Sequence, residues 1–199
     1  MNKLAKIVRI ITIPTLLFFA TLFIMFYTNR DCFPTAAELW VPICFIGCFP
    51  LLAYALAFVL KLCKKVEGDK YRKTQRTFAF IFSVIGYAVA FVLSLTLKLN
   101  RVITILTSSY FFSVIFLSCF NLCKLKASGH ACGITGPILF LCYFVNLIYI
   151  IPCVIVFALS FWSSLYLKRH TVTQLVFGAL SAVLAFILAL LLFRAGTTI

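Results

Sequence analysis

The chain has 199 residues, of which 64% are hydrophobic and 11% are charged, and its formal net charge is +14. This composition excludes a soluble globular domain and is typical of a protein with several membrane helices. The charge comes from 18 lysines and arginines against four acids, and none of the acids falls inside a predicted apolar span. Proton relays and carboxylate-bound metals within the membrane are therefore disfavoured.

Apolar runs along the chain predict an all-α fold, a polytopic helical bundle in which residues 1–199 form a single transmembrane domain. About seven transmembrane helices are expected, at residues 10–27, 40–62, 78–97, 102–122, 131–148, 152–167 and 171–193. The first run follows Lys3, Lys6 and Arg9 and has no small-x-small cleavage site after it, which favours a membrane helix over a cleaved signal peptide.

Basic residues are distributed unevenly between the connections. Residues 61–77 carry seven of them and are predicted to be a cytoplasmic loop. If the spans alternate from a cytoplasmic N-terminus, fourteen basic residues lie inside and only Arg30, Lys98, Arg101 and Arg194 lie outside. This bias predicts a multi-pass protein of the cell membrane. The basic excess is attributed to this topology and to anionic headgroups, so membrane lipids are expected partners and nucleic acid is not.

The cysteines do not indicate a disulfide framework, because Cys32 alone of the nine falls in a predicted external loop. Cys44 and Cys48, and Cys119 and Cys123, recur at helical spacing. A metal or redox site is one interpretation of these pairs. Small thiols on an apolar helix are the favoured interpretation.

The chain's two histidines each stand where an apolar span begins, and the predicted topology brings both to the cytoplasmic face. Ser128 is a candidate N-cap, Gly129 permits close approach of an anion, and His130 falls on the first helical turn. A polar residue at a membrane boundary is the plain alternative for either histidine alone. Two histidines at helix starts on one basic face instead favour a phosphate site.

The second histidine belongs to a helical pattern. His170, Gln174 and Gly178 recur at intervals of four and therefore lie on one side of the last span. Lys168 and Arg169 directly precede this pattern and supply positive charge beside it.

At these residues the chain resembles the type 2 phosphatidic acid phosphatase superfamily. Ser128-Gly129-His130 is similar to the family's serine-glycine-histidine motif. Residues 163–174 resemble its third motif, serine-arginine, five residues, histidine, three residues, aspartate, with Ser163 and His170 at the expected spacing. The resemblance covers about residues 61–193, and the first helix is an addition to a six-helix core.

The resemblance implies a metal-independent phosphatase, without a cofactor, that acts on a lipid phosphate or an isoprenyl diphosphate. It implies that His170 is the nucleophile that forms a phosphohistidine and that His130 is the general acid for the leaving oxygen. Gln174 would orient the nucleophile. Ser128 and the Gly129 N–H would bind phosphate oxygens.

Three features depart from the family's pattern. Ser164 holds the position of the third motif's arginine, and Gln174 holds the position of its aspartate. The first motif, lysine, six residues, arginine-proline, is incomplete, since Lys65 and Arg72 have the spacing but no proline follows. Arg76 is the preferred substitute. The candidate phosphate-binding cations are Arg76, Arg72, Lys126 and Arg169.

The patterns lysine-x-serine-x-histidine at 126–130 and histidine-threonine-x-x-glutamine at 170–174 resemble a divergent prokaryotic branch of the superfamily. The departures are therefore interpreted as those of a subfamily. The alternative function is a catalytically impaired membrane protein that binds lipid phosphate, or a transporter. The lack of intramembrane acids disfavours ion-coupled transport.

Overall fold

A computed structural model describes residues 2–63 and 68–194, and the side chains of Asp69, Arg72 and Arg194 lie outside the description. Every regular element in this part is helical. The helices are α1 (Asn2–Ile11), α2 (Pro14–Thr28), α3 (Ala36–Val41), α4 (Phe49–Leu62), α5 (Gly68–Thr96), α6 (Arg101–Leu122), α7 (Gly129–Phe144), α8 (Ile150–Tyr166) and α9 (Val172–Arg194). A π-helical segment, Pro42–Cys48, joins α3 to α4, and short 3₁₀ turns lie at Arg30–Cys32 and Leu147–Tyr149.

Five helical stretches of the described residues are long and apolar enough to cross a membrane. They are Ala36–Leu62, Lys73–Thr96, Arg101–Leu122, Leu147–Tyr166 and Val172–Phe193. The pair α1 and α2 makes a sixth if the two helices are taken as one span. The all-α class is therefore confirmed, with five or six helices long and apolar enough to cross a membrane. The predicted number of seven is not confirmed, because α7 has only 16 residues and is not among them.

The predicted first span, 10–27, is wrong as one straight helix. The chain forms a helix from residue 2, breaks at Thr12 and Ile13, and continues as α2 at an angle of 48°. Pro14 explains the break, because it lacks an N–H and disfavours helical geometry in the residue before it. Ile13 accordingly has φ −60° and ψ 130°.

The prediction that residues 61–77 form a loop is wrong for their second half, which is helical. Helix α5 begins at Gly68, ten residues before the predicted span at 78–97, so Lys70, Lys73 and Arg76 lie on a polar helical extension of the span. The segment contains no proline and several good helix formers, which permits the helix to continue beyond its apolar part. Lys65 lies outside the described residues.

The second predicted span, 40–62, begins earlier than expected. Thr35 and Glu38 form a capping box, in which the Thr35 hydroxyl accepts from the Ala37 N–H at 3.2 Å and the Glu38 carboxylate accepts from the Thr35 N–H at 3.0 Å. The cap satisfies N–H groups that a helix start leaves without partners, so the helix extends back to Ala36.

Helix α9 packs against α6 and α7, while α1 packs on α8 and α2 on α7. Large buried side chains from α2, α6, α7 and α9 form the main apolar core, among them Phe18, Leu106, Phe140 and Phe186. Many large apolar side chains on the outer surface are exposed, as expected for helices that face lipid.

One glycine permits the closest approach in the bundle. Gly178 of α9 lies against the backbone of Ser128, where an added Cβ would overlap with the Ser128 carbonyl oxygen and stand 3.0 Å from the Ala131 Cβ. Gly136 of α7 has nothing within 4 Å of the equivalent position. The start of α7 can therefore rest on α9 only because residue 178 has no side chain.

We predict that Gly178→Ala destabilises the protein by about 1–3 kcal/mol, since the backbone at Ser128 has to move away. Gly136→Ala is the matched control, and it leaves stability unchanged or raises it by up to about 1 kcal/mol through helix propensity. The measurement is the thermal unfolding midpoint of both variants and the wild type in detergent. Equal midpoints for the two variants would contradict the assigned contact.

Candidate active site

The start of α7 is tied to α9 through Ser128. The Ser128 hydroxyl accepts from the Ala131 N–H at 3.3 Å, which confirms the predicted N-cap. The Ser128 N–H donates to the Gln174 carbonyl at 2.9 Å. Ser128 is only 2% exposed, whereas Gly129 is exposed. The backbone N–H of Gly129 is therefore the more accessible donor for an anion at this helix start.

His130 stands on the first turn of α7, as predicted, and faces α8. Its Nε2 lies 3.4 Å from the hydroxyl of Ser160, and the same hydroxyl donates to Thr12 at 3.3 Å. Burial, then the charge of Arg9, then that of His170, lower the pKa of His130 to about 3. The imidazole is therefore neutral at pH 7 in the unliganded site.

His170 follows α8 after a tight turn. Lys168 has a left-handed backbone with φ 51°, and the Arg169 N–H donates to the Ser164 carbonyl at 3.0 Å. This is the Schellman ending of a helix, with a lysine at the position where glycine is common. The turn directs Arg169 and His170 back toward the first turn of α9.

Gln174 holds His170 and caps α9. Its side-chain oxygen lies 3.2 Å from Nδ1 of His170 and also accepts from the Thr171 N–H at 3.4 Å, while the Gln174 N–H donates to the Thr171 hydroxyl at 3.3 Å. These two contacts with Thr171 form a capping box. Because an amide oxygen only accepts, the contact with His170 places the proton on Nδ1 and leaves Nε2 with a free lone pair.

Positive charge reaches both histidines from distant parts of the chain. Burial lowers the pKa of His170; its hydrogen bond with Gln174 partly opposes this shift, and the guanidinium groups of Arg9, Arg76 and Arg169 add to it. Two predicted cations, Arg76 and Arg169, therefore act on the site. In the described residues Lys126 is exposed, with a left-handed backbone, and is not among the charges that act on either histidine. The Arg72 side chain lies outside the description.

Arg9 is the site residue that the sequence did not reveal. Its Nη1 donates to the hydroxyl of Ser164 at 3.2 Å, although 155 positions separate the two residues. In the sequence Arg9 is one of several basic residues before the first span, where such residues usually mark topology. The indirect signal was Ser164 itself, which stands where the resemblance would place an arginine.

As far as its side chains are described, the site is rich in cations and poor in acids. The acids whose side chains the structure describes, Asp31 and Glu38, both contact Asn100 at the opposite end of the bundle, through the carbonyl and the carboxylate respectively. No group of three or more His, Cys, Asp and Glu residues lies together in the described part of the chain. Of the side chains and backbone that the structure describes, an incoming ligand therefore meets neutral imidazoles, hydroxyls, backbone N–H groups and guanidinium groups.

Comparison with known proteins returned no match, neither to a family model nor to a curated protein or solved structure. The resemblance at residues 128–130 and 163–174 therefore stays a prediction.

The lowered pKa of His130 predicts acid-sensitive stability. Between about pH 6.5 and 3 the unfolded chain binds a proton at this residue that the folded chain does not, so stability falls as the pH decreases through this window. We predict that acidification from pH 7.5 to 5.5 lowers the unfolding midpoint more in the wild type than in His130→Gln. The loss amounts to at most about 1.4 kcal/mol per pH unit from this residue. An identical loss in both proteins would contradict a buried, neutral His130.

Proposed function

We propose that this chain is a membrane phosphatase that hydrolyses a lipid phosphate or an isoprenyl diphosphate through a phosphohistidine intermediate. The observation that supports the proposal most is the cluster of His130, His170 and the guanidinium groups of Arg9, Arg76 and Arg169. Within the described residues no carboxylate balances this cluster. A phosphate dianion is the ligand whose charge and acceptor oxygens such a cluster complements.

We further propose seven spans, in which α7 (Gly129–Phe144) is the short helix that corresponds to the span predicted at 131–148. We place the site at the cytoplasmic leaflet of the cell membrane. The 16 residues of α7 reach about 24 Å, less than a hydrocarbon core of about 30 Å. Its contacts with α6, α8 and α9 enclose it within protein, where a short helix is tolerated. The bias of basic residues toward the site end supports the orientation.

In the proposed reaction Nε2 of His170 attacks phosphorus. The N–P bond forms as the bond from phosphorus to the lipid oxygen breaks, and Gln174 keeps the proton on Nδ1. The guanidinium groups of Arg76 and Arg169 and the Gly129 N–H stabilise the charge on the phosphoryl oxygens. His130 gives a proton to the leaving lipid oxygen. A water molecule then attacks phosphorus and gives a proton to His130. The N–P bond breaks, its electron pair returns to Nε2 of His170, and inorganic phosphate leaves.

The low pKa of His130 fits this role only when substrate is bound. A dianion beside the imidazole favours the protonated form and offsets the effects of burial and of Arg9. Substrate binding would therefore charge the general acid at the moment it is needed. Lipid esters and diphosphates suit the site because their apolar tails can stay among the exposed apolar side chains of the bundle while the phosphate reaches the histidines.

The second candidate is a membrane protein that binds lipid phosphate without turnover. The observation that favours it is Gln174, whose amide holds the His170 imidazole at 3.2 Å but brings no negative charge. A carboxylate in that place stabilises an imidazolium, and an amide does not. The two candidates share the same ligand chemistry and differ in whether the N–P bond forms.

We predict that His170→Ala abolishes phosphate release, because it removes the attacking nitrogen. Gln174→Glu keeps the reach of the side chain and the capping box while it adds charge, so activity is retained or rises up to about tenfold, which corresponds to about one pKa unit of imidazolium stabilisation. Gln174→Ala loses activity, though less than His170→Ala. Thr173→Ala, an exposed neighbour on the same turn, is the control and stays near the wild type.

The measurement is phosphate release at equal folded concentration from phosphatidate, phosphatidylglycerophosphate and isoprenyl diphosphates in mixed micelles. If the wild type releases nothing from any of these lipids, or if His170→Ala equals the wild type, the catalytic proposal fails. Retained binding without release would then favour the second candidate.

A further inference from the structure

Helix α1 is docked on the site through polar contacts as well as apolar ones. Ala5 of α1 is completely buried, and Arg9 of α1 donates to Ser164 of α8 at 3.2 Å. Directly after α1, the Thr12 hydroxyl accepts from Ser160, whose hydroxyl also lies 3.4 Å from Nε2 of His130. The Arg9 side of α1 is thereby fixed beside the residues that surround the histidines.

Ser164 brings two guanidinium-bearing residues to one place. Its hydroxyl accepts from the Arg9 side chain at 3.2 Å, and its carbonyl accepts from the Arg169 backbone at 3.0 Å. Ser164 itself is completely buried at the end of α8. Two like charges held near each other cost free energy unless an anion lies between them or beside them.

The Arg9 guanidinium uses few of its hydrogen-bond donors within the described part of the protein. It has five N–H donors, and within the described residues it makes one hydrogen bond, to a neutral hydroxyl. Burial and the charges of Arg169 and Arg76 both act against its positive charge. A partly desolvated guanidinium that has spare donors, and no carboxylate partner among the described side chains, is suited to an anion that is not part of the chain.

We propose that Arg9 is a ligand of the substrate's phosphate group and supplies from α1 the guanidinium that Ser164, at the end of α8, does not carry. This inference rests on the proposed function, since it concerns the same phosphate. It makes the N-terminal helix a part of the substrate site rather than an addition to the bundle. Arg9 binds the phosphoryl oxygens, and the Ser164 hydroxyl orients the guanidinium by accepting a hydrogen bond from Nη1.

The test moves the guanidinium from one helix to the other. In Arg9→Gln we expect the KM for phosphate release and the Ki for orthovanadate, a phosphate analogue, to rise about tenfold or more, as for loss of a charge-assisted hydrogen bond. In the double variant Arg9→Gln with Ser164→Arg, we expect KM and Ki to return most of the way to the wild-type values. Arg9→Lys recovers less, because an ammonium cannot form the paired hydrogen bonds of a guanidinium.

Two further variants separate ligand binding from helix docking. Lys6→Gln removes an exposed charge from the same helix and should change the Ki for orthovanadate less than about twofold. Ser164→Ala breaks the contact with Arg9 but keeps the guanidinium. It should therefore raise the Ki for orthovanadate clearly less than Arg9→Gln does. An equal rise of the Ki for orthovanadate in Ser164→Ala and Arg9→Gln would overturn the inference and would assign Arg9 to the docking of α1.

The other outcomes are equally decisive. If Arg9→Gln binds orthovanadate as the wild type does while His170→Ala is inactive, the inference fails and the proposed function stands. If the wild type neither hydrolyses the lipids nor binds orthovanadate, the proposed function fails and the inference fails with it. If Ser164→Arg prevents folding, the comparison of Arg9→Gln with Lys6→Gln and Ser164→Ala decides the question alone.

Discussion

The contact between the start of α7 and the first turns of α9 sets the geometry of the candidate site. The Ser128 N–H donates to the Gln174 carbonyl at 2.9 Å, and Gly178 leaves the space into which the Ser128 backbone fits. The side chain of Gln174 holds His170, and Ser128 directly precedes the turn that carries His130. The relative position of the two histidines therefore depends on one backbone hydrogen bond and one missing side chain.

The electrostatics of the site follow from what surrounds the histidines. Both histidines are partly buried, and the guanidinium groups of Arg9, Arg76 and Arg169 lower the pKa of His170, while that of Arg9 also lowers the pKa of His130. The acids whose side chains are described contact Asn100 at the other end of the bundle. Burial and neighbouring cations both favour neutral imidazoles. The neutral imidazole of His170 can act as the nucleophile, and a dianionic ligand can favour the protonated form of His130. The same arrangement thus provides both forms that the proposed reaction requires.

Sequence reasoning reached the helical class, the Ser128 cap and the pairing of His170 with Gln174, because these depend on composition and on local spacing. It did not reach the break at Pro14 as a change of direction, nor the extension of α5 back to Gly68, because hydropathy does not report where a polar helix ends. It also missed Arg9. The contact of Arg9 with Ser164 spans 155 positions, and only the packing of α1 on α8 brings them together.

The most direct test of the central claim is to trap the phosphoenzyme. Protein incubated with a lipid phosphate labelled in its phosphoryl group is quenched in alkali, digested and mapped by mass spectrometry. Because Gln174 keeps the proton on Nδ1 of His170, we predict an acid-labile phosphoryl group on Nε2 of that residue. Phosphate release with no label on His170, or a label on its Nδ1, would contradict it.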